Sequence, residues 1–345
     1  MFNPQYTITN RLLANIKRIN ELINRINNRR FPEVVLLEYE RRARELSTFA
    51  STSIEGNPLP LTEVKRILKT RPEHIRDTER EVLNYNKALK QLNRILKTRK
   101  KIQLGGDTIL AVHTQVVDGL LPKFQTGQWR KEPVQIQDPR TRQPVFLPPD
   151  WKEVPELMNK LIEFVNQQKN IIDPLILAGI FHKQFVIIHP FMDGNGRTGR
   201  LITKMLLADM GLNTFNLFSF ENYYNQNVTK YFAQVGELGD YYELVKQRKI
   251  DFSAWLEYFT DGIIDELLRV EKLFPQASTN PKSRLKLHHM TILKHLQNNL
   301  FITDSDYTKL TRRAKATRAL DFKFMINQGL IKRKGKGKNT YYVLS

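Results

Sequence analysis

The 345-residue chain contains no cysteine. That absence excludes disulfides, thiolate metal sites and a cysteine nucleophile, and it fits a reducing compartment. A long apolar run is missing too. The most apolar stretch, 171–188, is interrupted by Asp173, Pro174, His182 and Lys183, so it reads as a core helix and not a membrane span. The opening MFNPQYTITN has neither a basic flank leading into an apolar run nor a small-residue cleavage site, so the expected location is cytoplasmic, with no membrane partner. Acidic residues are scarce, 35 against 55 lysines and arginines, for a net charge of +20. The imbalance sits at the two ends: residues 1–100 hold 21 basic and 11 acidic side chains, 101–281 hold 19 and 21, and 282–345 hold 15 and 3. Diffuse positive charge gives solubility and a loose attraction to polyanions; the dense tail asks for a more specific account.

What is present is mostly helical pattern. TNRLLANIKRINELINRI repeats apolar residues at Leu12, Leu13, Ile16, Ile19, Ile23 and Ile26, and PEVVLLEYERRARELSTFASTSIEGN continues to a stop at Gly56. TEVKRIL and DTEREVLNYNKALKQLNRIL add two more helices, and DFSAWLEYFTDGIIDELLRVEKLF a later one. Strand signals are few. In GQWRKEPVQIQDPRTRQPVFLPPDW, VQI alternates, DPRTRQP turns and VFL returns, which predicts a short hairpin at about 133–148. PQASTNPKS, 275–283, has linker composition. The expected organisation is an N-terminal helical region 1–100, a core 101–274, the linker 275–283 and a small domain 284–345.

The chemistry concentrates in HPFMDGNGRTGR, 189–200. DPLILAGIFHKQFVII before it reads as a buried helix capped by Asp173 and opened by Pro174; RLITKMLLADMGL behind it puts Leu201, Ile202, Met205 and Leu206 on one face and stops at Gly211. Singly, a histidine before proline is most often a packing residue, and glycines at a helix start are turn makers. Together they form an anion site. Backbone N–H groups at Gly194, Asn195 and Gly196 can approach phosphate, and Arg197 and Arg200 share a face of the first turn. Asp193 supplies a hard oxygen ligand for Mg²⁺, and His189 is the one group in the loop suited to taking a proton near neutral pH.

HPFMDGNGRTGR resembles, at every motif position, the active-site loop of the Fic-domain proteins. GQWRKEPVQI followed by FLPPDWKEVPELM is similar to that family's flap hairpin and exit, and AGIFHKQFVIIHPF to the helix leading into the loop, so the resemblance runs from about 30 to 270. It implies an all-α Fic fold with a short β-hairpin flap. The activity it implies is protein adenylylation, AMP passing from ATP to a serine, threonine or tyrosine hydroxyl of a target protein or of the enzyme itself. Carried over, His189 is the base, Asp193 holds Mg²⁺, Gly194, Asn195 and Gly196 bind phosphate oxygens, Arg197 the β-phosphate and Arg200 the γ-phosphate. Phe191 and His182 are packing residues. NVTKYF resembles a stretch near the adenine and offers Asn227 and Tyr231, although Phe232 stands where the family usually has a second tyrosine. STSIEGN alone is an ordinary helix end, but beside this loop Ser51 and Glu55, with Gly56 following, resemble the family's inhibitory motif, whose glutamate pairs with the last arginine, here Arg200. Glu55→Gly is then expected to release activity with little change in stability.

The tail is read from its own residues as helix, helix, longer helix and a glycine-rich turn between two strands, a winged-helix (α+β) pattern. Arg312, Arg313, Lys315, Arg318 and Lys323 fall on or near its recognition helix, and Lys334, Lys336 and Lys338 in its wing. DNA and a docked protein are both partners for such a surface. A DNA-binding regulator with a Fic body is therefore the competing function class, and removal of AMP, with Glu55 positioning water, the competing reaction. A homo-oligomer is compatible with all of these.

Overall fold

The computed structural model describes residues 2–29, 33–70, 75–97, 104–137, 143–209, 216–273 and 285–345. Helix α1, Asn10–Asn27, starts where the Thr9 side chain accepts the Leu12 N–H, and it buries Leu12, Ile19, Leu22, Ile23 and Ile26. Leu13 is 58% exposed: successive residues turn by about 100° around a helix, so the neighbour of Leu12 leaves the apolar face. That face lies on α12, Ser253–Glu271, far along the chain, and polar contacts at the rim fix the register, with Asn15 Nδ2 donating to Thr260 Oγ1 at 3.0 Å and Asp261 Oδ1 at 2.8 Å.

Between these two lie α2 (Glu33–Ile54), α3 (Leu61–Thr70), α4 (Asp77–Lys97), α5 (Gly106–Val116), α6 (Val154–Gln168), α7 (Pro174–Ile188) and α8 (Asn195–Asp209). Then come α9 (Glu221–Gln226), α10 (Val228–Val235) and α11 (Tyr241–Lys246). The centre is α7, capped by Asp173 as its sequence predicts and buried from Leu175 to Phe185 without a break. Gly179 permits the approach of α12: a Cβ there would meet Leu256 Cδ2 at 2.6 Å, and Trp255 Nε1 donates to the Gly179 carbonyl at 2.8 Å. α2 runs beside α3, α4, α8 and α9 and ends at Ile54, with Gly56 at φ +93 turning the chain away. The helix stop expected at Gly211 lies outside the described residues. Among the described residues no helix is long and apolar enough to cross a membrane.

The expected hairpin forms from β1, Ile136–Gln137, and β2, Pro144–Leu147, pairing antiparallel; residues 138–142 of its turn lie outside the described residues. A third strand, β3 (Gly239–Asp240), pairs parallel to β2 with Phe146 opposite Gly239. Two residues carry no readable period, which is why the sequence did not announce it. The expected linker 275–283 also lies outside the described residues. Beyond it come α13 (Leu287–Asn298), α14 (Asp304–Leu310), α15 (Lys315–Asn327), β4 (Ile331–Lys334) and β5 (Tyr341–Leu344), in the order the tail sequence predicts. They enclose their own core of Met290, Ile292, Leu293, Leu296, Tyr307, Phe322 and Met325, which also takes in Leu37 of α2. Lys90 Nζ donates to Gln297 O at 2.9 Å and Gln297 Nε2 to Leu37 O at 3.2 Å.

Trp255 is fully buried and hydrogen-bonded at the α7–α12 crossing. Trp255→Ala is expected to cost about 3–5 kcal/mol, read as a lower denaturant midpoint with loss of cooperativity at the α1–α12 end.

Candidate active site

Three interactions shape the loop between α7 and α8. α7 closes at His189, held at φ 50, and Gly194 takes φ 80. The Asn195 side chain then brackets one residue, accepting the Phe191 N–H at 2.9 Å and donating to the Phe191 carbonyl at 2.8 Å. Phe191, with no exposed surface, stacks on His113 at 3.6 Å between ring centroids. His113 Nδ1 accepts the Gly127 N–H at 3.0 Å, so the proton of the neutral ring sits on Nε2 and is donated to the Asp193 carbonyl, 3.0 Å away. Burial pulls His113 down to about 4, which keeps it neutral at pH 7. Arg130, just ahead of the flap, ties both flap ends to the loop: its N–H reaches Pro190 O at 2.8 Å, Nε reaches His189 O at 2.9 Å and Nη2 reaches Pro149 O at 2.5 Å.

His189 is neutral, the state a proton acceptor needs. Burial lowers it to about 4, and its Nδ1 faces Val186 O at 3.3 Å. A neutral ring with its proton on Nδ1 leaves the Nε2 lone pair free.

The start of α8 has the donors an anion could use. Thr198 N–H bonds Gly194 O at 2.9 Å, which leaves the amides of Asn195, Gly196 and Arg197 without an intrahelical acceptor. Arg197 is 3% exposed, with Nη1 at 2.9 Å from Glu81 Oε1 and Nη2 at 2.8 Å from Asp193 Oδ2, while its buried Nε has no partner. Burial works against the Asp193 carboxylate, yet the charge and hydrogen bond of Arg197 hold its pKa below the usual value. Arg200 is fully buried against the end of α2. Its Nε donates to Ser51 Oγ at 2.8 Å, and its Nη2 donates to Ser51 O at 2.8 Å and to Glu55 Oε1 at 2.7 Å. A Cβ on Gly196 would collide with Glu55 Oε1, so a residue without a side chain is what lets Glu55 lie over the helix start.

The structure therefore brings together His189, Asp193, Gly194, Asn195, Gly196, Arg197, Arg200, Ser51 and Glu55. Tyr231 also reaches Arg200, and Asn227 lies at the start of α10. Tyr231 is 1% exposed, and its hydroxyl faces Arg200 Nη1 at 3.4 Å and His182 Nε2 at 3.0 Å, so it backs the arginine. Asn227 is exposed and its side-chain oxygen caps α10 through Lys230 N–H. His182, bonded to Thr203 Oγ1 at 2.9 Å and pulled down to about 3 by burial, is the core residue the sequence suggested. Glu81, His113 and Arg130 carried no signal, since each is a single polar residue in a segment read for its apolar period or turn.

The tail's basic residues are only partly free. Arg318 donates to Asp304 through Nε and Nη2, both at 2.8 Å, and Arg313 Nε donates to Asp321 Oδ2 at 2.8 Å, so two of the five charges expected near the recognition helix are spent internally. Lys334 and Lys336 are exposed, and the side chain of Lys338 lies outside the described residues. His288, His289 and Asp321 have the spacing of a metal site. His289 Nδ1, however, accepts the Lys286 N–H at 3.2 Å, so a proton and not a lone pair sits on Nε2, and Arg313 already occupies the carboxylate. The cluster reads as hydrogen-bonded structure.

By fold and site this is an α-helical protein with an active loop built on a helix N-terminus, two buried arginines and a neutral histidine. Residues 103–207 match the Fic/DOC family model, and the chain is similar to Fic protein adenylyltransferases. It is 31% identical over 179 residues to the protein adenylyltransferase Fic of Drosophila grimshawi, covering 50% of this chain and 35% of that protein. To the protein adenylyltransferase fic-1 of Caenorhabditis elegans it is 27% identical over 209 residues, 59% of this chain and 39% of that one. The chain thus spans well under half the length of these curated relatives. The crystal structure of a Fic family protein from Desulfovibrio desulfuricans superposes with a TM-score of 0.65 at 21% identity, over 100% of this chain and 98% of that one, a likeness of fold.

Buried Arg200 makes the expected stability cost of Glu55→Gly larger than its sequence implies. The guanidinium keeps Ser51 and Tyr231 but loses its counter-anion, and a charge-assisted hydrogen bond is worth about 1.5–3 kcal/mol. Thermal unfolding of the variant should show a loss of that order, recovered in part by pyrophosphate.

Proposed function

We propose that the chain is a protein adenylyltransferase that Glu55 holds inactive, transferring AMP from ATP to a serine, threonine or tyrosine hydroxyl of a target protein. The observation that carries this reading is the Glu55–Arg200 contact laid across an otherwise complete active loop. The similarity to protein adenylyltransferases of Drosophila grimshawi and Caenorhabditis elegans supports it.

The residues fit the triphosphate. The unpartnered Arg197 Nε, the open amides at 195–197 and Arg200 offer donors for phosphate oxygens along one helix start. Asp193, its side chain 53% exposed, would hold Mg²⁺, which supplies charge neutralisation between phosphates. His189 Nε2 takes the proton as the target hydroxyl oxygen bonds the α-phosphorus; the bond from that phosphorus to the β-phosphate oxygen breaks, and pyrophosphate leaves against Arg197 and Arg200. With Glu55 on Arg200 the γ-phosphate is denied its seat, and a misplacement of about 1 Å at the reacting centre costs on the order of 10²-fold in rate.

Incubation with labelled ATP, Mg²⁺ and a lysate tests this. Glu55→Gly should label itself and target proteins far more strongly than the parent, and adding His189→Ala should remove about 10²- to 10⁴-fold of that gain with ATP binding kept. No gain from Glu55→Gly, with folding verified, would refute the inhibitory role.

The pH dependence follows from the sign of the His189 shift. The base acts neutral and its pKa lies at about 4, so transfer by Glu55→Gly should stay level from pH 8 to 6 and fall only as pH approaches 4. Glu55 is one of the charges that raise His189, so its removal moves the fall lower still. An acid limb centred near 6.5 in the pH–rate profile would assign the base to a solvated histidine instead.

A further inference from the structure

Arg197 carries two carboxylates, and only one of them belongs to the active loop. Asp193 takes Nη2; Glu81, on α4 with a side chain 14% exposed, takes Nη1 at 2.9 Å. Glu81 is itself held. Its Oε2 accepts Asn57 Nδ2 at 2.6 Å, and Asn57 is fixed by three more bonds: Nδ2 to Thr78 O at 2.9 Å, Oδ1 from Leu59 N–H at 3.1 Å, and its own N–H to Thr52 O at 3.1 Å. Asn57 lies two residues beyond Glu55, so one short turn of chain presents a carboxylate to Arg200 and braces the carboxylate on Arg197.

We propose that Glu81 is a positioning residue for nucleotide binding, the anchor that keeps Arg197 aimed at the phosphates when Asp193 is engaged by the metal. The inference rests on the adenylyltransferase reading above. Asp193 and Glu81 share the guanidinium. A carboxylate that ligates a divalent cation gives up most of its attraction for a neighbouring arginine, and Glu81 is then the one protein anion left on Arg197 among the described residues. Glu81 holds the Nη1 end, so the partnerless Nε and the vacated Nη2 face the same anion as a prepared fork. Without it a long side chain would have to be ordered by the phosphates themselves. The role concerns the phosphate beyond the α-phosphate, so it separates nucleotides by phosphate count.

Calorimetry of ATP, ADP and AMP with Mg²⁺, in the Glu55→Gly background, reads this out. Adding Glu81→Gln keeps the shape, removes the charge and sets an amide against Asn57 Nδ2. ATP and ADP should bind about tenfold more weakly, the equivalent of one charge-assisted hydrogen bond, while AMP changes less than about twofold. KM for ATP should rise by about the same factor with kcat nearly kept. On an Arg197→Ala background the Glu81 change should add nothing. Unchanged or tighter ATP and ADP binding overturns the proposal, as does equal weakening of all three nucleotides, which is the mark of a packing residue. If Glu81→Gln does not fold, Glu81→Asp, which keeps the charge and shortens the reach, is judged by the same three-nucleotide comparison. Intact ATP binding without transfer by Glu55→Gly would count against the proposed reaction and leave the binding comparison to decide the role of Glu81.

Discussion

A buried guanidinium must be surrounded by acceptors, and the arrangement of α2 against α8 follows from that demand at Arg200. With no exposed surface, Arg200 would carry a desolvation cost of several kcal/mol if left alone. Ser51 answers it with both its hydroxyl and its carbonyl, and Glu55 with its charge. One turn further along α8, Lys204 Nζ reaches Ser47 Oγ at 2.9 Å and Glu221 Oε1 at 3.5 Å, and Tyr85 OH donates to the same Glu221 oxygen at 2.9 Å. The spacing of four on both helices makes these two rungs of one ladder, so α2 cannot slide without breaking both. Inhibition in this reading is a property of helix packing, with Glu55 its exposed end.

The loop depends on a different kind of constraint. A left-handed His189 and a left-handed Gly194 bend the chain back over five residues, and such a bend persists only if its neighbours hold it. Asn195 closes it from within, while His113 and Arg130 close it from two sides using backbone carbonyls. The neutrality of His113 and His189 comes from the same burial that supports the bend. The shape of the site and the protonation state of His189 thus share one cause. Arg130 also makes the flap continuous with the loop, since the same side chain bonds Pro149 on the flap exit and His189 on the loop.

In the C-terminal helices and hairpin part of the positive charge is used internally. Fifteen basic residues suggest a polyanion surface, but Arg313 and Arg318 serve Asp321 and Asp304 inside the unit. The core of that unit also takes in Leu37, so its position is linked by packing to the helix that carries Ser51 and Glu55.

Local sequence determined the helices and the chemistry of the loop. Period and caps placed α1, α7 and the start of α8, because those signals arise from neighbours within a turn, and HPFMDGNGRTGR holds the proposed proton acceptor, metal ligand and phosphate donors within twelve residues. Tertiary structure alone decided what surrounds them. Glu81 lies 116 positions from Arg197, His113 80 from Asp193 and Arg130 59 from His189, separations at which no periodicity or cap signal operates. Tyr231 shows the same limit from the other side. A resemblance placed it near the adenine, and only the packing of α10 on α7, α9 and α12 turned its hydroxyl toward Arg200. Burial, which sets the pKa of His189 and the cost of an unpaired Arg200, is a property of the assembled helices and of no single segment.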